Sequence, residues 1–256
     1  MSLEKSFWNG LYVEQLIVDE EKPTLVFLHD SLGCVKLWRD FPLKIAKELG
    51  CNLLIYDRLG YGESQPMFTH VRTLTYLEDE AHVLYQLLNE FDIDEVILFG
   101  HSDGGSIALL FASLYPEKTL AVIAEAAHIF VEDVTISGVK KAVEMYNTTN
   151  LPERLEKYHG DKVETIFKAW TETWLSDDFS GFNVELLMQN ITSPLLFIQG
   201  EKDEYGSLKQ VYKTVEKVQG KSETLIIPEI GHTPHKEIPE LVIDKTVAFI
   251  KEFVTN

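Results

Sequence analysis

Cysteine is scarce. The 256 residues hold only Cys34 and Cys51, too few for a disulfide framework or a cysteine-built metal site. Long apolar runs are missing too. None approaches the ~20 residues that a membrane-spanning helix needs. The opening "MSLEKSFWNG" lacks a basic stretch followed by an apolar core, so no signal peptide is expected, and Asn147 and Asn190, in glycosylation sequons, carry no weight without one. Positive charge is in deficit, with 23 Lys and Arg against 41 Asp and Glu, a formal net charge of −18. Nucleic acid and anionic membranes are therefore unexpected partners, because phosphate binding calls for a basic stripe. The arginines Arg39, Arg58, Arg72 and Arg154 are scattered along the sequence. Repeats and low-complexity segments are also absent. What remains is a cytoplasmic protein, monomer or homodimer, whose acidity reads as solubility and whose partner is a small-molecule substrate.

What is present suits a globular enzyme. Hydrophobic residues make up 45% and aromatics 11%, ample for a core. Six short apolar runs recur between turn residues: 24–30, 51–57, 95–100, 120–127, 193–200 and 223–229. Their hydrophobicity is continuous rather than alternating, which predicts strands covered on both faces, as in a parallel sheet. The stretch 11–20 alternates more and reads as a strand near the amino-terminal edge. Amphipathic stretches at 38–49, 75–91, 104–115, 207–218 and 239–253 predict helices between the strands. Alternating strand and helix imply right-handed crossovers and a doubly wound, mostly parallel α/β sheet with helices on both faces. Residues 128–190 break that rhythm. They lack a convincing strand and are rich in aromatics, which predicts a helical lid inserted into a core formed by 1–127 and 191–256.

One stretch, "LFGHSDGG" (98–105), puts a serine between glycines at a predicted strand-to-helix junction. The G-x-S-x-G spacing fits a nucleophile elbow, in which glycines remove Cβ atoms that would crowd a strained turn. Ser102 would then project above the carboxyl ends of the strands, where open α/β sheets bind ligands. The N–H of Asp103, at a helix N-terminus, would face the same space and favour developing negative charge. The spacing is not that of a phosphate-binding loop, because neither G-x-G-x-x-G nor Gly-Lys-Ser/Thr is present.

A serine hydroxyl needs a base, and the base needs an orienting carboxylate. His232, in the loop after the last predicted strand, is the candidate base, with His235 as competitor. Thr233-Pro234 between them prevents the helical spacing that would put both on one metal; no metal or other cofactor is expected. Asp203, after the strand 193–200, is the candidate acid. Glu201 and Glu204 in the same loop, and Glu125 after the preceding strand, are alternatives. The order Ser102, Asp203, His232 is the one the elbow predicts. His29 and His101 read as structural or pocket-lining.

These residues together resemble the α/β-hydrolase-fold family over essentially the whole chain. "DRLGYGES" (57–64) is similar to the family's D-x-x-G-x-G-x-S turn, and Trp38 stands where relatives often keep a tryptophan. "GHSDGG" and the lid segment "YHGDKVETIFKAWTETW" look closest to the biphenyl-hydrolase-like (valacyclovirase-like) branch. The resemblance implies a serine hydrolase of small carboxylic esters, with amino-acid esters and thioesters included, acting through an acyl-enzyme. It places the second oxyanion donor at the N–H of Ser31. There the usual His-Gly reads His29-Asp30, so glycine-like dihedrals at Asp30 would carry strain. It also makes Trp38, His29 and the Asp103 side chain candidate substrate contacts, the last for a substrate ammonium group. The other reading of that carboxylate is a favourable charge in the first helical turn. Two alternatives stay open: a C–C bond hydrolase or lyase on the same fold, with Arg39 as the nearest arginine for an anionic substrate, and a ligand-binding protein without turnover.

Overall fold

The computed structural model describes residues 3–254. Eight strands form one sheet: β1 (Glu4–Trp8), β2 (Leu11–Leu16), β3 (Thr24–Leu28), β4 (Asn52–Asp57), β5 (Val96–His101), β6 (Thr119–Glu125), β7 (Leu195–Gly200) and β8 (Ser222–Ile227). Their spatial order is β1-β2-β4-β3-β5-β6-β7-β8. The pairs β1/β2 and β2/β4 are antiparallel and all others are parallel. This is the α/β-hydrolase arrangement expected from the resemblance. β1 was not foreseen, because its "EKSFW" is almost wholly exposed and lacks an apolar run.

Every residue of β3, β4, β5 and β7 is buried, which explains their unbroken hydrophobicity. Successive side chains point to opposite faces. Val26, Leu28, Leu54 and Leu98 pack on one side with helices α2 (Tyr76–Glu90) and α3 (Asp103–Leu114). Phe27, Ile55 and Phe99 pack on the other with α1 (Phe41–Leu49) and α9 (Pro239–Phe253). A fully buried side chain of this kind contributes ~1.5–3 kcal/mol relative to an exposed one. Both core layers therefore hold the sheet, and with it the loops at its carboxyl edge.

Between β6 and β7 the chain is helical, with α4 (Asp133–Thr148), α5 (Leu151–His159) and α6 (Val163–Trp174). Its strand-like pairing is an isolated bridge, Phe130 to Asn183. The aromatics there pack mainly on one another. Tyr146 stacks on Phe167 at 3.9 Å and Phe179 on Phe182 at 4.8 Å between ring centroids. After β7 come α7 (Leu208–Lys217) and the short α8 (Pro234–Glu237), which precedes α9. Among the described residues no helix is long and apolar enough to cross a membrane.

Candidate active site

β5 ends at His101 and α3 begins at Asp103, so Ser102 alone makes the turn. Its φ of 55° and ψ of −118° are strained for a residue with a Cβ. The turn is held by the Ser102 N–H, which donates to the Glu125 carbonyl at 2.8 Å. Gly104 has to be glycine: a Cβ there would lie 1.9 Å from the Leu28 carbonyl oxygen. The strain thus follows from α3 packing directly against the end of β3.

His232 reaches the serine from the loop after β8, with Nε2 2.9 Å from Ser102 Oγ. Its Nδ1 lies 2.9 Å from both carboxylate oxygens of Asp203, in the loop after β7. A carboxylate only accepts, so Nδ1 carries the proton and Nε2 is free to accept from the serine hydroxyl. Asp203 is itself fixed. Its Oδ1 accepts from the N–H groups of Tyr205 and Gly206, and its Oδ2 from Gln199 Nε2 at 2.7 Å. Burial alone would raise the Asp203 pKa, but the His232 charge and hydrogen bond outweigh it and hold it at about 2. Burial would likewise lower the His232 pKa, yet Asp203 beside it prevails and raises it above its ordinary 6.5. Such a Ser-His-Asp arrangement can deprotonate the hydroxyl as it attacks an acyl carbon.

Ser31 and Asp103 both line the 480 Å³ cavity into which Ser102 opens. Asp103 is the first residue of α3, so its N–H has no carbonyl within the helix to bond. Among the described residues neither that N–H nor the N–H of Ser31 meets an acceptor. Two unengaged donors beside the serine can donate hydrogen bonds to the lone pairs of an oxyanion. Asp30 is not among the residues with positive φ, so the strain expected there is absent. The turn at Asp30 instead closes with the Gly33 N–H on the Asp30 carbonyl.

The other candidates fall elsewhere. His29 is 2% exposed, donates from Nδ1 to the Asp30 carbonyl, and accepts the Arg58 N–H at Nε2. Trp38 packs edge-on against Phe27 and Phe99 and beside His235. Neither lines the Ser102 cavity. Trp38 belongs to the aromatic layer of Phe27 and Phe99 and borders a second cavity, while the His29 ring lies 4.9 Å from that of Tyr61. The Asp103 carboxylate is 3% exposed and already engaged: Arg58 lies 3.4 Å from its Oδ2, and Tyr76 Oη donates to Oδ1 at 3.1 Å. A substrate ammonium would have to displace a buried guanidinium. Arg39 lines a different cavity, so Arg58 and not Arg39 is the arginine behind the elbow. Glu201 is exposed and Glu204 lines the cavity, but neither bonds His232.

Glu125 pairs with His235 instead of His232. Its Oε2 lies 2.5 Å from His235 Nδ1, and its Oε1 accepts the His235 N–H at 2.7 Å. His101 Nε2 donates to the His232 carbonyl at 2.8 Å. The loop carrying His232 is therefore tied to the ends of β5 and β6 by two buried side chains. His101, Glu125 and His235 also bring one metal-ligating atom each within 4.8 Å of one another. Both Glu125 oxygens are already engaged by His235, as a structural clamp would require.

The "DRLGYGES" turn acts as scaffold. Asp57 accepts the N–H groups of Val35 and Glu63, and Ser64 Oγ donates to the Asp57 carbonyl. Burial pushes the Asp57 pKa up to about 6 despite those bonds. Trp170 and Trp174 of α6 and Thr135 and Val139 of α4 also line the cavity. Its carboxylates are Asp30, Asp103, Glu204 and Glu237, and no Lys or Arg lines it.

Residues 43–239 match the family described as serine aminopeptidase, S33. An (R)-3-hydroxydecanoyl-ACP:CoA transacylase of Pseudomonas putida is 24% identical, over 87% of this chain and 80% of its own length. The serine hydrolase BPHL of Mus musculus is 25% identical, over 89% of this chain and 79% of its own. Among solved structures, the 2-hydroxy-6-oxo-6-phenylhexa-2,4-dienoate hydrolase from Rhodococcus sp. strain RHA1 superposes with a TM-score of 0.81 at 14% identity. That match covers 98% of this chain and 99% of the other and speaks to the fold.

Proposed function

This chain belongs to the serine aminopeptidase, S33, family of α/β-hydrolases, and from that premise we propose that it cleaves a small carboxylic ester or thioester through an acyl-enzyme on Ser102. The observation carrying the reading is the continuous hydrogen-bonded line from Ser102 Oγ through His232 to Asp203. In this reading His232 takes the hydroxyl proton as Oγ attacks the acyl carbon. The N–H groups of Asp103 and Ser31 hold the oxyanion, a donor of this kind being worth ~3–4 kcal/mol in the transition state. His232 then protonates the leaving group and activates water to release the acid. Residues 128–190 serve as a lid, with Trp170 and Trp174 shielding the acyl group from water.

The carboxylate-lined cavity, free of Lys and Arg, favours an acyl half that is neutral or carries an amine. It disfavours the anionic dienoates of C–C bond hydrolases, which would meet Asp30 and Glu204 with no compensating arginine. Among these carboxylates the exposed Glu204, and not the Arg58-bound Asp103, is the one left to receive an ammonium group. Hydrolysis of paired p-nitrophenyl esters, with and without an α-amino group, tests both parts. The expected result is turnover of both by the parent, faster for the amino ester, and none above background by Ser102→Ala. Equal residual turnover in Ser102→Ala would refute the acyl-enzyme on this serine.

A further inference from the structure

A second cavity, of 600 Å³, adjoins the Ser102 cavity, and the two share Asp30 and Leu32 in their walls. Its electrostatics are opposite. Arg39, Lys44, Arg154, Lys157 and Lys236 all line it, against the acids Asp30 and Asp40. A chain with 41 acidic and 23 basic residues would not gather five of its bases around one groove by average composition. Ion pairing within the fold does not account for them either. Lys44 is paired with Asp40 and Glu240, but among the described residues Arg39, Arg154, Lys157 and Lys236 have no carboxylate within 4.0 Å. Lys236 lies close enough to Asp30 for its charge to lower that carboxyl's pKa, but the cations still repel each other across one concave surface, and a polyanion between them would relieve that repulsion.

The groove is also built rather than incidental. Arg154 and Lys157 ride on α5, and α5 is fixed against the loop after β3 by His159, itself 1% exposed. His159 accepts the Gly62 N–H at Nδ1 and donates from Nε2 to the Leu32 carbonyl. Lys236 follows His235, whose ring Glu125 clamps. Arg39 is held at a φ of 54°, an unfavourable backbone for a residue with a Cβ. Arg154, Lys157 and Lys236 therefore have backbone positions set by neighbouring buried contacts to the loops that carry Ser31 and His232.

We infer that this groove binds the phosphate groups of the substrate's leaving half, so that the substrate is an acyl ester or thioester of a phosphate-bearing alcohol or thiol. This deepens the hydrolase reading and rests on it. The neutral or amine-bearing acyl half occupies the acidic cavity and the anionic half the basic groove, with Asp30–Leu32 between them. When Ser102 Oγ bonds to the acyl carbon, the carbon–oxygen or carbon–sulfur bond breaks, and the departing atom takes its proton from His232. The phosphates take no part in the covalent step. They position the substrate through Coulomb attraction, which an exposed pair makes worth up to about fivefold in affinity per contact.

Two measurements test this. Adenosine 3′,5′-bisphosphate and adenosine are titrated calorimetrically into Ser102→Ala, where turnover plays no part, at low and at 0.5 M salt. The bisphosphate is expected to bind and adenosine not. Binding should weaken at least about tenfold at high salt and about tenfold in Arg154→Glu/Lys157→Glu. Separately, kcat/KM is compared for butyryl-CoA and S-butyryl-N-acetylcysteamine, the same thioester without phosphate. The parent should prefer butyryl-CoA about tenfold or more, and the double variant should lose that ratio. Bisphosphate binding no tighter than adenosine, or unaffected by the charge reversals, overturns the anion site. Bisphosphate binding without any preference for butyryl-CoA overturns its role in holding the leaving half. Failure of the parent to turn over either thioester counts against the hydrolase reading, while the calorimetric arm still decides the groove.

Discussion

Replacing Asp103 by asparagine separates a structural carboxylate from a substrate-binding one. The exchange keeps the backbone N–H beside Ser102 and removes the charge facing Arg58. That guanidinium is 1% exposed and lies 3.4 Å from the carboxylate. Removing one partner of a buried ion pair costs about 3–5 kcal/mol. The separation is long for a hydrogen bond, and Arg58 keeps an acceptor in the Asp30 carbonyl at 2.9 Å. The cost therefore falls at the lower end, about 3 kcal/mol. For a chain of this size that amounts to about 6–12 °C in Tm. Removing both charges in Arg58→Met/Asp103→Leu should restore at least half of the loss, because paired apolar replacements avoid the stranded charge. Scanning calorimetry reads both variants, and the paired amino and des-amino esters read the site. Asp103→Asn is expected to slow both esters by similar factors. An unchanged Tm with selective loss of the amino ester would refute the assignment and return Asp103 to the substrate.

Two other perturbations follow from the same geometry. Neutral His232 is the form able to accept a proton, and its pKa is raised by Asp203, so kcat/KM should climb with pH through a midpoint above 6.5. Asp203→Asn removes that raising influence and the tautomer control; the midpoint should fall and the rate drop by about 10⁴-fold, and an unshifted pH profile would contradict the pairing. Glu125→Gln loses an acceptor for one of the two buried His235 N–H groups. It should cost about 1–3 kcal/mol in urea unfolding and lower kcat more than it changes KM, because the His232 loop is displaced. An unaffected kcat would show that the clamp serves stability alone.

Much of this was legible in the sequence because the signals were local. Fully buried parallel strands announce themselves as unbroken apolar runs, and α1, α2, α7 and α9 show a 3.6-residue period, whereas α3 is buried almost all round. Ser102 could be found because glycines stand at 100 and 104, the first demanded by sterics within the turn and the second by the end of β3. Asp203 and His232 followed from their places after β7 and β8. What sequence could not show depends on side-chain direction or on distant partners. β1 escaped because an exposed antiparallel edge strand needs no apolar signal. Trp38 and His29 lie in the right loops but do not reach the Ser102 cavity. Arg58 stands in a recognisable turn, yet its pairing with Asp103, 45 positions later, exists only once β4 and α3 are packed. The basic groove likewise assembles from α5, α8 and the loop before α1, which no stretch of sequence brings together.

The proposed chemistry requires that Ser102 be an activated nucleophile. Intact mass after treatment with a serine-directed fluorophosphonate, for the parent and for Ser102→Ala, tests it most directly. One adduct is expected on the parent and none on the variant, with both proteins folded. An adduct of equal yield on Ser102→Ala, or a folded parent that takes up no reagent, would contradict it.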